Sequence, residues 1–129
     1  MFYNKGSIIY SEIKSNGVKN YNTSASKIID FDKIVFLCDE NTASAAEVMI
    51  FNIKSDFTNK VKIVGNQTYG KNFGYAYKQF KDGELFMFVS ELMGNSKGET
   101  FASTGITPDY KVDNNDSLDF ARNLLSENW

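Results

Sequence analysis

Few residues in this chain can do covalent chemistry. Histidine is absent from all 129 residues and cysteine occurs once, which excludes a Ser-His-Asp triad, a Cys-His dyad, a histidine-ligated metal or a multi-cysteine metal site built from this chain alone. Attention falls on Ser44, in Asp39-Glu40-Asn41-Thr42-Ala43-Ser44-Ala45-Ala46-Glu47, between two apolar runs of different period. Two readings of it stand together. Ser44-x-x-Glu47 is a capping box, in which the serine oxygen accepts from the Glu47 N–H and the glutamate reaches back to the N–H of Ser44. The same position suits a nucleophile elbow, with a serine hydroxyl presented at a tight strand-to-helix turn beside the free N–H groups of a helix start; Ala43 and Ala45 are the smallest flanks short of glycine.

A nucleophilic Ser44 needs a base, and lysine leads the remaining candidates. Lys71 lies in the glycine-punctuated stretch Gly65-Asn66-Gln67-Thr68-Tyr69-Gly70-Lys71-Asn72-Phe73-Gly74. A lysine base must be neutral. Its reference pKa leaves only about one molecule in 10³ neutral at pH 7, so its surroundings must lower that value by roughly three units, or about 4 kcal/mol. Val61, Ile63, Tyr69 and Phe73 flank Lys71 in sequence; the alternative is a solvated loop lysine. Glu47 shares a helix face with Ser44, but an ionised carboxylate beside the amine would oppose its role as base, so a capping or structural hydrogen bond is expected of it. Cys38, in an apolar strand, reads as a small core residue.

The elements that must position these residues follow from pattern. Residues 33 to 38 read as a fully buried strand. A helix from about 43 to 56, buried on most sides, and a strand at 61 to 64 complete a βαβ unit with parallel strands. The turns after both strands then lie at one carboxyl edge, where Lys71 and Ser44 can meet. Upstream, residues 7 to 13 read as a strand, Ser15-Asn16-Gly17 as a turn, and 18 to 32 as a polar connection of limited structure. Downstream, runs at 75–80 and 84–92 joined by Lys81-Asp82-Gly83 read as a hairpin. A polar loop at 94–104, the turn at Pro108, a short strand at 110–112 and a terminal helix capped at Asp116 or Ser117 complete the chain. Asp113-Asn114-Asn115-Asp116 lacks the glycine and distant glutamate of a calcium loop and reads as a linker.

Composition narrows the class. The chain is long enough for one domain with a real core, and at 42% hydrophobic and 15% aromatic residues it is ordinary for a folded protein. Its net charge of −2, with scattered basic residues, makes nucleic acid a poor partner. No apolar run is long enough to span a membrane, and Met1-Phe2-Tyr3-Asn4-Lys5-Gly6 carries no signal-peptide pattern.

Four stretches, Phe36 to Glu47, Ile63 to Lys71, Leu85 after Asp82-Gly83, and Gly105-Ile106-Thr107-Pro108-Asp109, resemble in order and spacing the carboxy-terminal processing (tail-specific) serine peptidases. The resemblance implies an α/β fold, a crotonase/Clp-like core fragment holding the βαβ unit, the hairpin and the C-terminal helix. It implies a serine endopeptidase acting on extended or unstructured polypeptides, with Ser44 as nucleophile, Lys71 as general base, Glu47 at the position of a site-supporting carboxylate and the backbone N–H of Ala45 as an oxyanion donor. It implies neither metal nor cofactor, and an extracytoplasmic or cell-envelope location for the parent protein. Two positions depart from the family: Ala46 replaces a common second serine, and Asn72 replaces the usual glycine after the lysine, a position where asparagine accepts left-handed backbone angles. The family's glycine-rich strand end, which supplies the second oxyanion donor, and its PDZ domain are expected upstream of residue 1. The chain therefore reads as a single, partial catalytic domain, weakly active or inactive in isolation, whose exposed sheet edge favours pairing between copies. The competing reading is a non-catalytic module that binds extended peptides along a sheet edge. An acyl-CoA enzyme ranks last, for want of a phosphate cradle.

Overall fold

The computed structural model describes residues 3–24, 30–101 and 103–129. Two sheets share one central helix. The first contains β1 (Ile8–Lys14), β2 (Gly17–Asn22), β5 (Phe73–Gln79) and β6 (Leu85–Gly94), in the antiparallel order β2-β1-β6-β5. The second contains β3 (Ile34–Cys38), β4 (Val61–Gly65) and β7 (Tyr110–Lys111), parallel and in the order β3-β4-β7. Helix α1 (Ala45–Asp56) packs against β4 of one sheet and β1 and β6 of the other, and α2 (Ser117–Ser126) covers β3 and β4.

The βαβ unit forms because Val61, Ile63 and Val64 bury completely or nearly so in the central strand. Ile50 and Ile53 of α1 close over that strand, in clusters shared with Cys38, Phe101 and Ile106 on one side and Tyr3 on the other. Two expectations of burial fail. β3 is an edge strand in which only Cys38 is buried and Leu37 is exposed, so its continuous apolar run reflects cover by α2 on one side rather than a central place in the sheet. Helix α1 buries Glu47, Ile50, Asn52 and Ile53, while Ala45, Ala46 and Met49 stay exposed.

The polar connection expected at 18 to 32 is in part a strand. β2 pairs with β1 through a tight turn, Tyr21 stacks on Tyr10 with ring centroids 4.4 Å apart, and the Tyr21 hydroxyl donates to Glu12 at 2.6 Å. It lies at the sheet edge and is exposed along almost its whole length, so it carries no apolar alternation for a sequence reading to detect. Residues 25–29 lie outside the described residues.

The hairpin turns where Asp82-Gly83 predicts, Phe80 N–H donating to Glu84 C=O at 2.8 Å. It projects from the sheet with Tyr75, Tyr77, Leu85, Met87 and Val89 exposed on one face and Phe86 and Phe88 on the other. Tyr77 is 73% exposed and Leu85 64%.

Gly65 ends β4 with φ 124°, and a Cβ there would overlap the carbonyl oxygen of Cys38 on β3. Gly83 shares a positive φ, 92°, but faces open space. Gly83→Ala is therefore expected to cost about 1 kcal/mol, from backbone strain alone, and Gly65→Ala about 3 kcal/mol or more, because strand must part from strand as well. Urea unfolding of both variants separates the two terms.

Candidate active site

Two loops leave the same edge of the parallel sheet, one from Cys38 of β3 and one from its register partner Gly65 of β4. They are tied together at once: Asn66 N–H donates to Cys38 C=O at 2.9 Å, and Tyr69 N–H to Thr42 C=O at 3.0 Å. The first loop is shaped by Asp39, whose carboxylate accepts from the N–H groups of Asn41 and Thr42, each at 3.0 Å. Hydrogen bonds from Asn41, then Thr42, hold that carboxyl below its usual range. The loop ends at Ser44, with φ 58° and ψ −123°, a region L-residues rarely occupy.

Ser44 C=O accepts from Val48 N–H at 3.0 Å and so opens α1. The two halves of the capping box face each other, but only the glutamate half closes with ordinary geometry. Ser44 N–H donates to Glu47 Oε2 at 2.9 Å, whereas the serine hydroxyl makes no side-chain cap bond. Ala45, the first helical residue, carries one of the N–H groups that have no intrahelical acceptor. Ser44 is half-buried and Ala45 exposed.

Glu47 does far more than cap. Its side chain is 0% exposed, and four donors converge on it. Oε2 accepts from Ser44 N–H and from Lys71 N–H at 2.8 Å; Oε1 accepts from Gly70 N–H at 2.7 Å and from the Thr68 hydroxyl. These match the roughly four acceptor sites of a carboxylate. One oxygen atom thus holds the backbones of Ser44 and Lys71 side by side.

Thr68 passes the network on. Its Oγ1 accepts from Ile106 N–H at 2.7 Å while its own N–H donates to Ile106 C=O at 3.2 Å, which brings in the Gly105-Ile106-Thr107-Pro108-Asp109 stretch. Asp109 fastens that stretch to the core, its carboxylate accepting from Ile63 N–H at 2.8 Å and from the Lys54 ammonium at 2.8 and 2.9 Å. Neither Thr68 nor Asp109 emerges from sequence reasoning as a site residue, since hydrogen bonds to backbone leave no periodic signal.

The side chains of the two leading candidates do not meet. Lys71 is half-buried, its Nζ lies 5.7 Å from the centroid of the Tyr75 ring, and among the described residues no hydrogen bond joins it to Ser44 Oγ and no ion pair joins it to a carboxylate. Its four-carbon stem is flexible, whereas its backbone is held by Glu47. Asn72 departs from expectation, because its φ is not positive. It is instead fully buried, donating from Nδ2 to Met93 C=O at 3.2 Å and to Thr100 Oγ1, so asparagine stands there for its side chain. Cys38 is buried, and burial first, then Asp39, pushes its thiol up to about 11, far from a reactive thiolate.

The site is thus a serine in a strained turn at the head of a helix, with a lysine-bearing loop bound to the same carboxylate, on a mixed α/β fold. The family comparison is specific: residues 1–112 match the model of peptidase family S41, and the chain belongs to that family. A probable CtpA-like serine protease of Staphylococcus saprophyticus is 32% identical over 96 residues, 74% of this chain and 19% of its own length. A second, from Staphylococcus aureus, is 31% identical over 116 residues, 88% of this chain and 23% of its own. The chain thus spans about a fifth of these relatives. Among solved structures, a photosystem II D1 C-terminal processing protease superposes with a TM-score of 0.70 at 23% identity, covering 88% of this chain and 29% of that one. A putative peptidase from Parabacteroides merdae gives 0.69 at 17% identity, covering 98% and 45%. At these identities the two structures speak for the fold. No helix among the described residues is long and apolar enough to cross a membrane.

Proposed function

We propose that this segment carries the nucleophile and general base of a serine endopeptidase that cleaves extended or unstructured polypeptides outside the cytoplasm. Ser44 Oγ attacks the peptide carbonyl as Lys71 takes its proton, the Ala45 N–H donates to the oxyanion, the C–N bond breaks with that proton passing from Lys71 to the leaving amine, and a water deprotonated by Lys71 hydrolyses the acyl ester, Lys71 returning the proton to Ser44. The observation that supports this reading is Glu47 Oε2, which accepts from the backbone N–H groups of Ser44 and Lys71 at 2.9 and 2.8 Å and so holds these two residues on adjoining loops. The Ser44 φ of 58° adds to it: strain at a non-glycine residue is kept where a side chain must be aimed. The amine reaches the hydroxyl when the lysine stem swings away from Tyr75.

The test is covalent capture. A fluorophosphonate probe is expected to modify Ser44 in the full-length parent peptidase, located by peptide mass, and Ser44→Ala is expected to abolish that label and the cleavage of unfolded casein. A parent peptidase that stays unlabelled at Ser44, or an undiminished label in Ser44→Ala, overturns the reading.

The hairpin adds an association. β5 is an edge strand of its sheet, and one face of the hairpin presents Tyr75, Tyr77, Leu85, Met87 and Val89 to solvent, an apolar face that a symmetric partner can cover. We assign this surface to a second copy of the chain. Sedimentation at micromolar concentration is expected to show a dimer, and the cross-strand double change Tyr77→Lys with Met87→Lys a monomer; a native monomer refutes the assignment.

A further inference from the structure

At the carboxyl edge of the parallel sheet lies a polar cleft of about 460 Å³. Glu40 walls it from the loop after β3, Asn66 and Gln67 from the loop after β4, and Thr107, Pro108 and Lys111 from β7 and the turn before it. Parallel sheets hold small ligands at this edge, where the loops part, and the volume falls in the range of ligand pockets. Backbone bonds fix the frame: Asn66 N–H donates to Cys38 C=O at 2.9 Å, Thr68 N–H to Ile106 C=O at 3.2 Å and Val112 N–H to Gly65 C=O at 3.1 Å. The polar groups inside it are open. Asn66 Nδ2 donates to Asn114 Oδ1 at 3.2 Å and Gln67 Nε2 to Thr104 C=O, which orients both amides and leaves their carbonyl oxygens without a donor among the described residues. The Glu40 carboxylate, the Thr107 hydroxyl and the Lys111 ammonium likewise have no hydrogen bond or ion pair among those residues, so Glu40 and Lys111 share the cleft without neutralising each other.

We infer that this cleft binds a short free peptide in its zwitterionic form, the α-ammonium against Glu40, Asn66 and Gln67 and the carboxylate against Lys111 and Thr107. An α-ammonium carries three N–H donors, and Glu40, Asn66 Oδ1 and Gln67 Oε1 are three acceptors that lack one. Of the lining residues Lys111 alone is cationic, and the Thr107 hydroxyl can donate beside it. An ion of single charge gains from one wall and is repelled by the other. A zwitterion complements both. Neither Ser44 nor Lys71 lines the cleft, so the inference goes beyond the peptidase reading and stands without it. Hydrolysis of peptide bonds, each freeing one ammonium and one carboxylate, is a reaction that supplies such ligands.

The test is calorimetric titration of the full-length parent peptidase, carrying Ser44→Ala so that nothing is hydrolysed. The probes are alanyl-alanine, acetyl-alanyl-alanine, which lacks the ammonium, and alanyl-alanine amide, which lacks the carboxylate. Alanyl-alanine is expected to bind about tenfold more tightly than either blocked form, each charge-assisted contact being worth about that much. Glu40→Gln is expected to erase the difference between alanyl-alanine and its acetylated form, and Lys111→Gln the difference between alanyl-alanine and its amide. Both residues are exposed, so the urea midpoints of these variants are expected to match the parent's. Equal affinities for the three peptides, no binding of alanyl-alanine, or a preference that survives both substitutions overturns the inference. An unlabelled Ser44 with these preferences intact overturns the nucleophile reading alone.

Discussion

Lys71→Ala slows fluorophosphonate capture of Ser44 by about 10³-fold, the midrange of what a positioned general base contributes. The size of the loss follows from what else is present. The chain has no histidine, and the carboxylate nearest the serine, Glu47, already holds four donors, three of them backbone N–H groups that cannot turn away. Lys71→Arg is the sharper variant. A guanidinium keeps the charge and much of the length but never deprotonates in proteins, so a base role predicts a loss as large as with alanine, whereas a purely electrostatic role predicts that arginine restores most of the rate. Both variants keep the Lys71 N–H on Glu47, so the loop stays in place. Near-native capture in Lys71→Ala would end the serine–lysine assignment.

How far the sequence disclosed this arrangement differs from feature to feature. The βαβ unit and the hairpin were legible because each has a strong local signature: Val61, Ile63 and Val64 bury as a continuous run, and Asp82-Gly83 supplies the positive φ of the turn. Ser44 was legible as a junction residue. Its strained φ was not, since alanine flanks announce no left-handed turn. β2 escaped because an edge strand exposed on almost every residue has no reason to alternate. β3 misled in the opposite direction, its apolar run answering to α2 rather than to a second sheet neighbour. Glu47 was half-read: three residues after a serine it satisfies a capping box, and that local explanation conceals a carboxylate whose other bonds go to Thr68, Gly70 and Lys71, 21, 23 and 24 residues away. Long-range polar contacts of this kind obey no period, so only the fold reveals them.

Glu47→Ala destabilises the fold by about 4 kcal/mol or more, a large part of the 5–15 kcal/mol available to a typical domain. The variant strands three backbone N–H groups and the Thr68 hydroxyl, and each buried donor left without an acceptor costs about 1–3 kcal/mol. Water entering the vacated space recovers part of that, because the site is polar on every side. Glu47→Gln keeps the volume and costs less, about 2 kcal/mol. Its amide oxygen serves two donors, and its NH₂ is best turned toward Thr68, whose hydroxyl oxygen can accept a second bond, leaving the Gly70 N–H as the principal orphan. Urea denaturation of native, Gln and Ala chains measures the series, and a Glu47→Ala midpoint within about 1 kcal/mol of native would show that the carboxylate is dispensable to the fold. The same series separates folding from assembly of the site. In the folded fraction of Glu47→Gln the amide oxygen still spans Ser44 N–H and Lys71 N–H, so capture of Ser44 stays within about tenfold of native. In Glu47→Ala nothing joins the two loops at that point, and capture falls toward the Lys71→Ala rate although Ser44 and Lys71 are both present.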